Sequence, residues 1–306
     1  MPLASLSSWF DTNETLIQNI AIYALLAFSI QIVLRSGLFS LASVGMYGIG
    51  SYVVGVLTTE HGWAAVPAIL VAVVVCAVVG WLLAVLLVRL RDLYLAMATV
   101  AFDLMVGVIA LNWKQVTGGP VGLFGIPLAV TTTTLVVTVL VIAALLYAME
   151  HGTMGRTMET IREDEALAQS FAVDTRRYRR MAFVVSSMLG ALAGAYHALV
   201  FNTVSPGDAG FSLIVLVLTM VIIGGYGSWI GALIGAILIT WLPLRLESLS
   251  DWWYAIYGAI MIVMATFMPG GIYGLAQQLR RRSTGLRTRR RAARGLSAPP
   301  VSGQQV

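Results

Sequence analysis

Apolar residues run along this chain in blocks of about 20, bounded by a few polar or small residues, from residue 15 to residue 268. A helix of that length crosses a hydrocarbon layer ~30 Å thick at about 1.5 Å per residue. The pattern predicts spans over residues 15–34, 37–57, 64–88, 93–112, 128–149, 181–201, 210–226, 228–244 and 253–268. Nine is the favoured count within a range of eight to ten, because the seventh and eighth blocks are short and meet at Gly227. Those two are equally readable as a re-entrant or broken pair, which is tolerated where protein rather than lipid surrounds the backbone. The fold class expected is all-α, a polytopic helical membrane protein.

One stretch interrupts the blocks. Residues 151–180 carry six arginines and five acids, and so must face water or a partner. The other cations fall in a pattern that orients the chain, since Lys and Arg of short loops are retained on the cytoplasmic side. With the amino terminus outside, Arg35, then Arg89 and Arg91, then the six arginines of the island and eight of the tail are cytoplasmic. That places 17 of 19 cations inside and leaves Lys114 and Arg245 outside. Three regions follow: an outer segment 1–14, a membrane domain 15–279 containing the cytoplasmic loop 150–180, and a basic, disordered cytoplasmic tail 280–306. The first 15 residues hold no Lys or Arg and so lack the basic start of a cleavable signal, and the first block is expected to remain as a span. Residues 117–127, TGGPVGLFGIP, are rich in glycine and proline and predict a structured turn.

Composition agrees: 58% of the 306 residues are hydrophobic, 11% are charged, and the mean hydropathy is +0.86. Cys76 is the only cysteine, so neither an intramolecular disulfide nor a cysteine-rich metal site is possible. His61, His151 and His197 have no metal-ligand spacing, no Gly-x-Ser-x-Gly elbow is present, and the one lysine, Lys114, follows a tryptophan. A Gly-x-x-x-x-Gly-Lys-Ser/Thr nucleotide loop is therefore impossible, and the chain reads as no enzyme and no ATPase. No cofactor, no metal and no nucleic-acid partner is expected on this chain.

Polar groups inside spans are candidates for function. Thr99, Asp103 and Gly107 share one face of the fourth block by i, i+4 spacing, and with Gln31 they are the candidate lining of a translocation path. Asp103 has two readings: a carboxylate that attracts an ammonium group, or a structural acid bonded to a neighbouring helix. Small residues recur every four positions as Ser186, Gly190, Gly194 and Ala198, and as Gly227, Gly231 and Gly235, which predicts close helix packing within the chain.

Within the island, residues 157–171 lack Gly and Pro and are rich in helix formers, predicting a short surface helix. Ile161, Glu165, Ala168 and Phe171 or Ala172 make a mixed face, with Arg162, Glu163 and Asp164 pointing elsewhere. Such a helix suits docking into a partner's groove, or is a solvated loop with a basic end.

The stretch TIREDEALAQSFAVDTRRYRRMAFVVSSMLGALAGAY resembles the cytoplasmic coupling loop of permease subunits of branched-chain amino acid ABC transporters, the LivM type in particular. RLRDLYLAMATVAFDLMVGVIALNWKQVTGGPVGLFGIP and SLIVLVLTMVIIGGYGSWIGALIGA are similar to further ordered segments of that family, from about residue 16 to 274. Three departures stand out. Ala172 occupies the place of a glycine near the end of the coupling helix, which implies a softened turn. Residues 36–42 replace the family's Gly-Gln-x-Ser-Leu-Gly, and its acid near the start of the fourth span is displaced to Asp103.

The resemblance implies a multi-pass subunit of a bacterial inner-membrane importer of branched-chain amino acids or related small polar solutes. It also implies a LivH-type sister permease, an extracytoplasmic binding protein and two cytoplasmic ATPases that hold the ATP and Mg. The coupling residues implied are Arg162, Glu163, Asp164, Glu165, Ala168, Phe171 and Ala172 on a helix over 157–172. On that reading Glu165→Arg, or a bulky residue at Ala168, uncouples transport from hydrolysis. Membrane lipid is a further partner, and the competing class is an ion-coupled secondary transporter, which calls for intramembrane acids and paired broken helices.

Overall fold

The computed structural model describes residues 13–87, 89–90, 92–246, 258–259, 262 and 271–274. The long helices are α1 (Glu14–Arg35), α2 (Ser43–Thr59), α3 (Ala65–Leu87) and α4 (Asp92–Asn112), followed by a single turn, α5 (Lys114–Thr117). After them come α6 (Thr132–His151), α7 (Thr153–Glu163), α8 (Glu165–Ser170), α9 (Thr175–Phe201), α10 (Phe211–Gly224) and α11 (Trp229–Leu246). Strands β1 (Leu123–Phe124) and β2 (Thr203–Val204) pair antiparallel with Leu123 opposite Val204.

Each of the first eight apolar blocks has become a helix. The ninth falls on residues of which only 258, 259 and 262 are described, and the tail lies outside the described residues. Helices α1, α3, α4, α6 and α9 are long and apolar enough to cross a membrane, while α10 and α11 are shorter. The 14 residues of α10 reach about 21 Å, less than a hydrocarbon layer. It turns back into α11 through residues 225–228, and the two backbones touch. A methyl group at Gly224 would overlap the Gly231 carbonyl, and one at Gly235 the Met220 carbonyl. Gly231 and Gly235 therefore form the contact ridge, whereas Gly227 sits in the connection, where no described residue would meet a side chain.

Helices α1 and α9 fill the centre, α9 packing on α1, α2 and α3. The α9 ridge seats directly on the α2 backbone: the Ser186 and Ser43 hydroxyls lie 2.9 Å apart, Gly190 abuts the Ser43 carbonyl and Gly194 the Tyr47 carbonyl. Only glycine permits that approach, so the small-residue spacing is used within the chain. Helix α3 turns a stripe of Ala68, Ala72, Cys76, Gly80, Ala84 and Leu87 inward. Its opposite face exposes Val74, Val78, Leu82 and Leu86. An apolar exterior around an apolar core suits lipid, where apolar side chains carry no penalty for facing outward. The chain is a multi-pass α-helical membrane protein.

The glycine-rich stretch at 117–127 is a compact turn. Gly118, Gly119, Gly122 and Gly125 all take positive φ, and the Thr117 hydroxyl donates to the Ala110 carbonyl at 2.6 Å. This caps the end of the bundle remote from the island.

Candidate functional site

The charged island folds as two short helices. Gly155 makes the first corner possible, because a side chain there would strike the carbonyls of Met149 and Glu150 as α6 turns into α7. Helix α7 then buries Met158 and Ile161 and exposes Arg156, Glu159 and Glu163. The single helix expected over 157–172 is corrected here: the helix starts earlier, at Thr153, and breaks at Asp164. Asp164 is extended, at φ −152 and ψ 104, and its carboxylate accepts the Leu167 amide at 3.0 Å. An acid at this N-cap satisfies a free amide of the new helix and favours its positive end.

Helix α8 ends at Ser170, and Ala172, just past its C-cap Phe171, adopts φ +58. The Ala172 amide donates to Gln169 and the Val173 amide to Ala168, the paired bonds of a Schellman motif. The sharp turn is therefore kept, with an alanine in the left-handed region that a glycine occupies at no cost. Asp174 next caps α9 by accepting the Arg177 amide at 3.1 Å.

The break at Asp164 changes which residues face outward. Ala168 is fully buried, and Glu165 turns back to Arg179 at the base of α9, at 2.9 Å. Arg162 is half-buried beneath α7, and Glu163 and Asp164 are exposed. Phe171 is 72% exposed and Leu167, one turn before it, 49%. Leu167 was not among the sequence candidates; its signal was the i, i+4 spacing to Phe171, visible once the helix restarts at Glu165.

Beneath this shelf lies a polar cluster that joins distant parts of the chain. Arg35, the last residue of α1, pairs with Glu150 near the end of α6 at 2.8 Å, and both side chains are buried. Glu150 also accepts the Trp229 amide at 2.8 Å and the Ser228 hydroxyl at 3.2 Å, capping α11 from another helix. Gln31 donates to Glu150 at 3.2 Å, and Arg35 to the Gly227 carbonyl at 3.3 Å. The shelf rests on this cluster at two places. The Arg162 guanidinium lies 5.5 Å from the centre of the Tyr226 ring, and the Arg162 backbone fits against Gly37, which holds φ +78. A polar cleft of about 370 Å³ remains between Arg35, Glu150, Glu159, Arg162 and Tyr226.

The remaining candidates belong to a different network. Thr99 accepts the Leu41 amide at 3.1 Å, and Asp103 Oδ1 accepts the Gly45 amide at 2.8 Å, so this face of α4 caps the first turn of α2. Asp103 is eleven residues into α4, about 16 Å along its axis. Helix α2 therefore begins inside the bundle, and residues 36–42 run inward from the end of α1 without helical structure. Asp103 Oδ2 has no hydrogen-bond partner among the described residues. Among the described residues, none comes within 4 Å of the place a side chain on Gly107 would occupy. Gln31 is thus held in the Arg35–Glu150 cluster, apart from the Thr99–Asp103 pair.

The family model described as branched-chain amino acid transport system / permease component matches residues 14–265. The high-affinity branched-chain amino acid transport system permease protein LivM of Escherichia coli (strain K12) is 28% identical over 289 residues, covering 82% of this chain and 67% of that protein. The corresponding permease protein LivH of the same strain is 29% identical over 142 residues, 45% of this chain and 46% of its own length. BraD of Pseudomonas aeruginosa is 25% identical over 141 residues, again 45% and 46%. No solved structure matches.

Proposed function

Because the chain belongs to the family of branched-chain amino acid transport permease components, we propose that it is the membrane subunit through which an ABC importer moves branched-chain amino acids into a bacterial cell. Separate ATPases dock on the island, a LivH-type sister permease completes the path, and an extracytoplasmic binding protein delivers the substrate. The relatives LivM and LivH, both permease proteins of a high-affinity branched-chain amino acid transport system, support the substrate and the sister chain. The distribution of 17 of 19 cations supports an orientation with the island in the cytoplasm of an inner-membrane protein.

The observation that carries the docking role is the outward face of α8. Leu167 and Phe171 form an apolar knob preceded by Glu163 and Asp164, all exposed. Such a face fits a groove that offers an apolar floor and a basic rim. The family resemblance implies that Glu165 and Ala168 also belong to the coupling surface. Their inward positions support a different role, fixing the shelf that presents Leu167 and Phe171.

The mechanism follows from the two seats of the shelf. Closure of the ATPases on ATP displaces α7 and α8 as one body. That displacement reaches the break between α1 and α2 through Gly37, and the α10–α11 tip through Tyr226. Both are places where helices are interrupted, so a small rigid-body shift moves helix ends without breaking helical hydrogen bonds.

The test is Leu167→Glu with Phe171→Glu in the assembled transporter. ATPase co-purification falls and uptake is lost, while the chain still inserts and its helical content is unchanged. Uptake by this chain reconstituted alone and driven by an ion gradient would overturn the reading.

A further inference from the structure

Helix α9 rises past α3 at the island end and leaves a cleft of about 780 Å³ between them. The two helices are tied at Gly80, where the Ser187 hydroxyl occupies the space a side chain would need. From that crossing α3 has seven residues left, about 10 Å, whereas α9 extends twelve residues back to Thr175, about 18 Å. The lower part of the resulting step is apolar, formed by Trp81, Met181, Val184 and Val185. The upper part is basic: Arg180 lies near the level at which α3 ends, with Arg177 and Arg176 above it.

We propose that this cleft binds one anionic phospholipid, with the phosphate on Arg177 and Arg180 and the first part of its acyl chains along Trp81 and Val185. Three features carry it. The arginines are unused: among the described residues Arg176, Arg177 and Arg180 form no ion pair, whereas Arg179 on the same turns is held by Glu165 at 2.9 Å. The acid on the rim, Asp174, spends one oxygen on the Arg177 amide, leaving three guanidinium groups against one carboxylate. The order of chemistry along α9, from valine through methionine to arginine within about 12 Å, repeats the order along a phospholipid from chain to headgroup.

Guanidinium forks match phosphate oxygens, and the first turn of a long helix adds its own attraction for an anion. Trp81 is more than half exposed, and indole rings are favoured at the boundary of headgroups and chains. A soluble phosphate would use the arginines but leave the apolar half of the cleft without an occupant. An acidic protein surface would meet Arg176 and Arg177 but leave Trp81 and Val185, lower in the cleft, without an occupant.

The experiment is native mass spectrometry of the intact transporter in neutral detergent, titrated with phosphatidylglycerol, phosphatidylcholine or glycerol phosphate. One phosphatidylglycerol is retained in preference to phosphatidylcholine, and equimolar glycerol phosphate does not displace it. Replacing Arg177 and Arg180 together by Gln weakens retention roughly 25-fold, at about fivefold for each arginine. Lys114→Gln, at the other end of the bundle, leaves retention unchanged. A photoactivatable phosphatidylglycerol on the unmodified transporter labels peptides spanning residues 177–185, a readout that does not depend on any variant folding. Equal retention of phosphatidylcholine, or displacement by glycerol phosphate, would overturn the lipid assignment. Loss of a partner subunit from the double variant with phosphatidylglycerol still retained would assign the arginines to a protein interface instead.

Discussion

Glu150→Ala is expected to destabilise the chain by about 3–5 kcal/mol, because it leaves Arg35 as an uncompensated charge in the interior. The carboxylate accepts from Arg35 and from the Trp229 amide, both at 2.8 Å, and the pair's side chains are 9% and 7% exposed. Loss of the cap on α11 would by itself cost about 1 kcal/mol, but one carboxylate makes both contacts, so the two costs do not simply add. Arg35→Met is milder, about 1.5–3 kcal/mol, since Glu150 keeps the Trp229 amide and the Ser228 hydroxyl. Combining Arg35→Met with Glu150→Ala removes both charges together and should cost at least about 2 kcal/mol less than the sum of the single changes. Reversible unfolding in mixed micelles measures the cycle, with ATP-driven leucine uptake as a parallel readout. A double variant whose cost equals that sum within about 0.5 kcal/mol would refute the argument that the two charges stabilise each other.

Other outcomes follow from single positions. Ala172→Gly should stabilise the island by about 0.5–1 kcal/mol, since the residue sits at φ +58; slower hydrogen exchange at the Val173 amide reports it, and faster exchange would contradict it. Asp103→Asn keeps an acceptor for the Gly45 amide and should transport normally, whereas Asp103→Ala should cost about 1–3 kcal/mol; a transport defect in the Asn variant at unchanged stability would instead give the charge a role in the path. Gly194→Val should prevent α9 from seating on α2, because its side chain would overlap the Tyr47 carbonyl; the expected readout is loss of folded protein, and normal yield and unfolding temperature would count against the contact. Gly37→Ala should lower uptake while leaving ATPase binding intact, by straining a position at φ +78 that also touches Arg162; unchanged uptake would remove this seat from the mechanism.

The apolar helices were legible because a membrane requires continuous apolar runs, and eight of the predicted blocks match helices with ends no more than about six residues apart. The ridge at Gly190 and Gly194 was equally plain, since nothing but close approach explains small residues every fourth position. The break at Asp164 was harder. Residues 157–171 contain no glycine or proline, and the helix is stopped instead by a side chain that caps its successor. One continuous helix would carry the phase of its faces across that break and turn Glu165 and Ala168 outward, whereas in the structure Ala168 is buried and Leu167 is exposed. The Arg35–Glu150 pair was not legible at all: the residues are 115 positions apart, and only their shared location at span ends hinted that they meet.

These features together explain why the island is built from capped fragments. A long surface helix touching the bundle at one end would bend under load, and its far end would move without the spans. Here α7 is held by the Gly155 corner behind it, by Gly37 and Tyr226 beneath it, and by the Asp164 cap ahead. Helix α8 is in turn fixed to α9 by Glu165 and Arg179. A force applied at Leu167 and Phe171 therefore has few soft places in which to dissipate before it reaches residues 36–42 and 225–228. Those two breaks share the Arg35–Glu150 pair, so whatever moves one alters the electrostatic setting of the other. The ion pair is thus a physical reason for the two interrupted elements to respond as a unit, which a carrier must do if one event outside the membrane is to open one path within it.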